Sequence, residues 1–226
     1  MGVMLAALDV SGQVARLVDF GFLPGQPAYS LFSIDPSVGT YSPIVSAVTT
    51  SGMYGGGQAL DSIGQRFFFL KPDTSELVTV NLQNQQITHV TVPICCAFLQ
   101  YDIVSGRLLA FGSLPGQPGF SVFSISPTTG AYTPIVSAVT TSGMYGGGQA
   151  LDPSGQRFFF LKPDTSELVT VDLQTHQVSS VTEPTCCGFL SFDFGTLPIA
   201  VPVGSPENMI LLAVLLLAIG IFALRK

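Results

Sequence analysis

The sequence predicts an all-β body of tandem four-stranded modules, followed by a single C-terminal transmembrane helix. Three observations carry this expectation. Blocks of text recur at one fixed offset, short apolar runs are bounded by Gly, Pro, Asn and Asp, and the chain ends in an unbroken apolar stretch. Composition agrees: 24 Gly, 16 Pro and 17 Phe in 226 residues suit short strands joined by tight turns. Charged residues make up only 10% of the chain and the net charge is −6. A surface so poor in cations cannot neutralise a run of phosphates, so nucleic acid is excluded as a partner.

The repeat is a duplication of a whole unit. Residues Ile44–Asp61 recur unchanged at Ile135–Asp152, and Gly64–Val80 recur at Gly155–Val171, both at an offset of 91. Leu23–Pro27 maps onto Leu114–Pro118, and Cys95-Cys96 onto Cys186-Cys187, by the same shift. Each unit divides again. An apolar residue followed by Asp marks Asp9, Asp61, Asp102, Asp152 and Asp193, at spacings of 52, 41, 50 and 41 residues. After each of the first four come a turn, an apolar run such as Arg66–Leu70 or Arg107–Phe111, a polar loop, an alternating run and a last short strand. In the second module these are Lys71–Ser75, Leu77–Leu82 and a strand near Ile87–Val92. About four strands in 40 to 50 residues is the period of a β-propeller blade.

Leu151-Asp152-Pro153-Ser154-Gly155-Gln156-Arg157, followed by Leu168-Val169-Thr170-Val171-Asp172-Leu173, resembles the blade text of the large β-propeller families. The resemblance covers most of residues 5–195 and implies a fold without an activity. The expected fold is therefore β-propeller-like, with about four blades and an extra strand, Gly188–Asp193, in an incomplete ring. Gly2–Asp9 already reads as the inner strand of a blade, with counterparts at Ala97–Asp102 and Gly188–Asp193. Three arrangements accommodate this: a start internal to a longer gene, a ring closed by four blades, or a ring completed by two chains. The first is the favoured expectation.

The expected domains are a duplicated body over 1–196, with units at about 5–95 and 96–186, a Pro/Gly linker over 197–207, and a membrane helix with its basic tip over 208–226. Met209–Leu224 holds sixteen uncharged residues, eleven of them Leu, Ile, Val or Phe, and ends at Arg225-Lys226. Inserting it into a bilayer gains roughly 3 to 7 kcal/mol. As a helix it spans about 24 Å, with Arg225 and Lys226 reaching the interface as a membrane stop. A segment apolar all round suits lipid better than a globular core. Placing the two cations in the cytoplasm puts the body outside. Export demands an N-terminal signal peptide, and Met1–Asp9 has neither a basic start nor a long apolar core. The expectation is that the true start lies upstream.

Val201-Pro202-Val203-Gly204-Ser205, then Met209-Ile210-Leu211-Leu212 and a terminal basic pair, resembles the bacterial IPTL-CTERM sorting signal, a relative of the PEP-CTERM tails. Here Pro202 and Ser205 match the family's motif, Val203-Gly204 stand for its Thr-Leu, and Glu207-Asn208 occupy the place of its Trp-Gly. The resemblance implies an exosortase-type membrane protease as a partner and a sorting motif at Val201, Pro202, Val203 and Ser205. Processing at the motif and permanent anchoring by the helix are the two outcomes it leaves.

No set of residues reads as a catalytic, cofactor or metal site. Asp9-x-x-Gly12, Asp61-x-x-Gly64 and Asp152-x-x-Gly155 place Asp first and Gly fourth in a turn, where the carboxylate caps backbone N–H groups. Lys71–Glu76 and its copy Lys162–Glu167 gather charges in what reads as a solvated hairpin loop. His89 and His176 are not equivalent under the 91-residue shift, so the spacing argues against a repeated histidine site, and both read as exposed strand-edge residues. Cys95, Cys96, Cys186 and Cys187 stand where the other modules carry triple glycine. Small packed residues, a disulfide and a zinc site all remain open for them, although Cys-x-x-Cys spacing is absent. The expected function is an exported, membrane-anchored or sorted envelope protein of binding or structural type, with an unknown protein or polysaccharide ligand. The alternative is an exported hydrolase or lactonase-like enzyme with part of its site in a missing N-terminal region.

Overall fold

In the computed structural model the chain divides into two compact units, Met1–Phe192 and Asp193–Lys226. The structure describes residues 5–7, 16–23, 25–35, 37–50, 57–71, 73–94, 97–141, 148–162 and 165–182, all in the first unit. They form four antiparallel sheets of four strands, each paired in chain order. The first sheet holds β1 (Leu5–Ala7), β2 (Arg16–Phe22), β3 (Tyr29–Ile34) and β4 (Tyr41–Thr49). The second holds β5 (Gln58–Asp61), β6 (Arg66–Lys71), β7 (Glu76–Asn81) and β8 (Ile87–Thr91). The third holds β9 (Phe98–Asp102), β10 (Arg107–Ser113), β11 (Phe120–Ile125) and β12 (Tyr132–Thr140). The fourth holds β13 (Gln149–Asp152), β14 (Arg157–Lys162), β15 (Glu167–Asp172) and β16 (Val178–Thr182). The four modules expected from the Asp spacing are these four sheets. The segment 188–193 and the apolar tail lie outside the described residues. Among the described residues no helix is long and apolar enough to cross a membrane.

The unbroken Phe67-Phe68-Phe69 run follows from burial of the second sheet on both faces. Successive side chains of a strand point to opposite faces, so a strand covered on both sides needs no polar alternation. Phe67 and Phe69, with Val78 and Val80, pack on Val18, Phe20 and Leu31 of the first sheet. Phe68, Leu70 and Leu77 pack the other way, on Leu99, Leu108, Ala110, Phe123 and Ile125 of the third. The third sheet in turn gives Leu109, Phe111 and Val122 to Phe158, Phe160, Val169 and Val171 of the fourth. Ring contacts repeat with the duplication: Phe20 to Phe69 at 4.7 Å and Phe111 to Phe160 at 4.5 Å. Each fully buried Phe contributes about 1.5 to 3 kcal/mol through its removal from water.

One local distortion is also duplicated. The β3–β4 and β11–β12 ladders slip register beside Leu31 and Val122. In the bulged strands Ala47 and Ala138 sit at φ 54° and 51°, a left-handed conformation that costs a non-glycine residue about 1 to 2 kcal/mol. Their amides donate to Ser30 Oγ at 3.2 Å and Ser121 Oγ at 3.1 Å, both buried hydroxyls. Pro43 and Pro134 are tolerated because β4 and β12 are edge strands.

Candidate functional site

Strand alternation sorts the loops onto two ends of each sheet. The turns β5–β6, β9–β10 and β13–β14 share one end with the turns that precede each outer strand. The opposite end carries the β6–β7 and β14–β15 hairpins.

At the first end the repeated aspartates close their own turns. Asp61 Oδ1 accepts from Gly64 N at 2.7 Å, and Asp152 Oδ1 from Gly155 N at 2.8 Å, as the Asp-x-x-Gly spacing predicts. The sequence did not reveal their second role. Asp61 Oδ2 accepts from Arg66 Nε at 2.9 Å and from its terminal nitrogen at 2.6 Å. Asp152 Oδ2 receives the same pair from Arg157, at 3.1 and 2.6 Å. The two aspartate side chains are each 2% exposed. The signal was an Arg five residues after each Asp, on the facing strand of the hairpin. A Cβ on Gly64 or Gly155 would stand 2.2 or 2.3 Å from the carboxylate, so the turn glycine is a steric requirement.

Asp102 is held differently. Its Oδ1 accepts from Val104 N at 3.0 Å and Ser105 N at 3.2 Å, while Oδ2 bonds the Ser105 hydroxyl and accepts from Gln156 Nε2 at 3.0 Å. Gln156 belongs to the fourth sheet's turn and also accepts from Arg107 at 3.1 Å. On the other side Arg66 of the second sheet donates to the Tyr101 hydroxyl at 3.2 Å. Polar contacts thus join the second sheet to the third and the third to the fourth at this end. Burial opposes ionisation of Asp102, but the bonds from Ser105, Gln156 and the turn amides outweigh it and hold the carboxyl below its ordinary value. Asp152 is lowered likewise: burial opposes, and Gly155 N, Ser154 and Arg157 prevail. Burial, followed by the nearby Asp61 charge, pushes the Tyr101 phenol up.

At the opposite end Lys71 and Glu76 pair across their hairpin at 3.4 Å, and Lys162 and Glu167 at 2.9 Å. Thr165, then Lys162 and Ser180, hold the Glu167 carboxyl at about 2. The Thr74 hydroxyl, ahead of Lys71, lowers Glu76. Exposed His89 lies on β8, 3.6 Å from Glu76. His176 is not a strand-edge residue: it occupies the β15–β16 turn at φ 60°. The start of the inner strand β13 buries Gln149, whose Oε1 accepts no hydrogen bond among the described residues. Cys95, Cys96, Cys186 and Cys187 lie outside the described residues, as do Val201, Pro202, Val203, Ser205, Arg225 and Lys226 of the tail. Among the described residues no three His, Cys, Asp or Glu are grouped to hold a metal ion.

No family model and no curated protein sequence matches the chain. Solved structures do match. A chain of the nidogen/laminin complex superposes with a TM-score of 0.61 at 13% identity, covering 85% of this chain and 70% of that one. TolB from Acinetobacter baumannii gives 0.58 at 16%, over 79% of this chain and 43% of that chain. An oligogalacturonate lyase in complex with manganese gives 0.55 at 11%, over 80% and 53%. The chain therefore spans about half the length of the last two. These neighbours are β-propeller proteins, and at such identities the likeness establishes the fold alone.

Proposed function

We propose that this chain is a non-enzymatic β-propeller module of the bacterial cell envelope, exported and then anchored or sorted through its C-terminal tail. Its ligand, a protein or a polysaccharide, docks on the end that carries the Lys71–Glu76 and Lys162–Glu167 hairpins. The observation that carries the binding reading is the commitment of the buried aspartates. Both oxygens of Asp61, Asp102 and Asp152 are engaged, by their own turns, by Arg66 and Arg157 of the same hairpins, and for Asp102 by Gln156 of the fourth sheet, so that end serves cohesion. The other end offers the Lys71–Glu76 and Lys162–Glu167 loops, identical in text, and loops on a rigid scaffold are where recognition residues concentrate. The tail supports the location: sixteen uncharged residues before Arg225-Lys226 favour a bilayer, with the body on the far side from the cations.

Glycan and protein arrays probed with the full chain in detergent test the binding reading. A ligand whose signal falls at least tenfold when both Lys–Glu hairpins are replaced by Gly-Ser loops supports it. Metal-dependent turnover of ester or lactone substrates overturns it in favour of an exported hydrolase. Protease shaving of intact bacterial cells tests the location, and a body protected inside the cytoplasm overturns it.

A further inference from the structure

We propose that Phe22 is a binding residue, an aromatic platform on which a sugar ring of a neutral polysaccharide stacks. The inference rests on the binding reading above and deepens it, by naming the ligand class and one contact.

The platform stands at the end where that ligand docks. The β2–β3 hairpin joins the second and third strands of its sheet, as the β6–β7 and β14–β15 hairpins do in theirs. The first sheet also packs on the second as the third packs on the fourth, with matching contacts of Phe20 on Phe69 and Phe111 on Phe160. The three hairpins therefore share one end. Phe22 closes β2, and strand alternation puts it on the face of Val18 and Phe20, which packs toward the second sheet. On that covered face it is nonetheless 54% exposed, the most exposed Phe or Tyr among the described residues.

The ring is held from behind. Tyr29, its partner across the hairpin, lies 4.0 Å away between centroids. Tyr29 in turn stacks on Phe20 at 5.6 Å, and Phe20 meets the fully buried Phe69 at 4.7 Å. A side chain so backed loses little freedom when a ligand covers it.

The duplication supplies an internal comparison. Leu23–Pro27 and Leu114–Pro118 are identical, and Phe111 on Phe120 repeats the Phe20–Tyr29 stack at 5.7 Å. The counterpart of Phe22, however, is Ser113, which is also exposed. The hairpin closes on serine as it does on phenylalanine, so folding does not require an aromatic there. A rigid aromatic left in water is the kind of side chain that anchors a ligand.

The surroundings select a neutral glycan. A pyranose ring offers a flat face of C–H groups, which matches the negative face of the Phe22 ring, while its rim of hydroxyls needs polar partners. Residues 23–28 include no charged side chain, and the exposed Gln26 offers an amide donor and acceptor. Lys71 and Lys162 of the neighbouring hairpins are already paired with Glu76 and Glu167, so an anionic polymer gains little from them. A protein partner would want a broad apolar centre around such an anchor, and the exposed residues of this hairpin are Gly25, Gln26 and Pro27.

The test prints neutral glycans (glucans, galactans, mannans and N-acetylhexosamine oligomers) beside anionic ones, and probes them with the full chain in detergent. Wild type is expected to bind a neutral glycan, Phe22→Ser to bind it at least about tenfold more weakly, and Phe22→Trp to retain it. The melting temperature of Phe22→Ser is expected to stay within a few degrees of wild type, since serine is the residue of the other copy. Neutral-glycan binding that Phe22→Ser leaves unmoved overturns the inference, and loss on replacing the Lys–Glu hairpins alone would leave the binding reading standing without it. Binding confined to anionic glycans or to proteins, no glycan binding by wild type, or a Phe22→Ser variant that fails to fold also overturns it.

Discussion

Phe68 and Phe159 are the same residue in the same sentence of sequence, yet Phe68 is wholly buried and Phe159 only half so. The second sheet has a neighbour on each face, whereas the fourth repeats that sheet's text with one described neighbour, the third. Burial here is a property of what stands opposite, and the duplication holds the local text constant while changing the neighbour.

Substitution in pairs measures that difference. The largest effect is expected from Phe68→Ala, at about 3 to 5 kcal/mol from lost burial and the cavity left behind. Phe159→Ala is expected to cost less than half as much, and equal losses in urea melts would show that the two faces are equally covered. Next come the turn glycines. Gly39 and Gly130 share φ near +70°, so alanine strains both by about 1 to 2 kcal/mol. Gly130→Ala must also displace Thr91 O, and it is expected to melt several degrees below Gly39→Ala.

A pH series sharpens the comparison between turns. The Asp102 carboxyl is lowered in the folded chain, so its contribution is present above the unfolded value and is lost as pH falls through the folded one. Stability is therefore expected to decline below the ordinary carboxylate value of 3.8, and Asp102→Asn to flatten that limb of the curve. The smallest effect separates the two Lys–Glu hairpins. Glu167 accepts from Ser180 at 3.2 Å, where Glu76 faces His89. Ser180→Ala is expected to raise the Glu167 titration midpoint from about 2 in carboxyl-resolved NMR, leaving Glu76 in place.

The sheets were legible because their determinants are local. Strands β7 and β8 fall within one residue of the Leu77–Leu82 and Ile87–Val92 runs, and the Asp61 and Asp152 turns carry the predicted caps, while Asp9–Gly12 lies outside the described residues. The Asp61–Arg66 and Asp152–Arg157 pairs were hidden, since their five-residue spacing is meaningful only once the hairpin register is known. Positive φ at Ala47 and Ala138 left no mark, because alanine is not a residue that advertises a left-handed bulge. The Gln156 bridge to Asp102 was equally illegible, as it crosses between sheets 54 residues apart. The uneven cover of the two copies could not be read from blocks that are identical in text.

The duplication, in which the third and fourth sheets repeat the first and second, also bears on inheritance. Recombination between the two repeats would insert or delete 91 residues in frame, which is two sheets at a time. Every junction so created would again set a face of the second-sheet kind against one of the third-sheet kind. Sheet number can therefore change in pairs, through a single genetic event, without any new surface having to be selected.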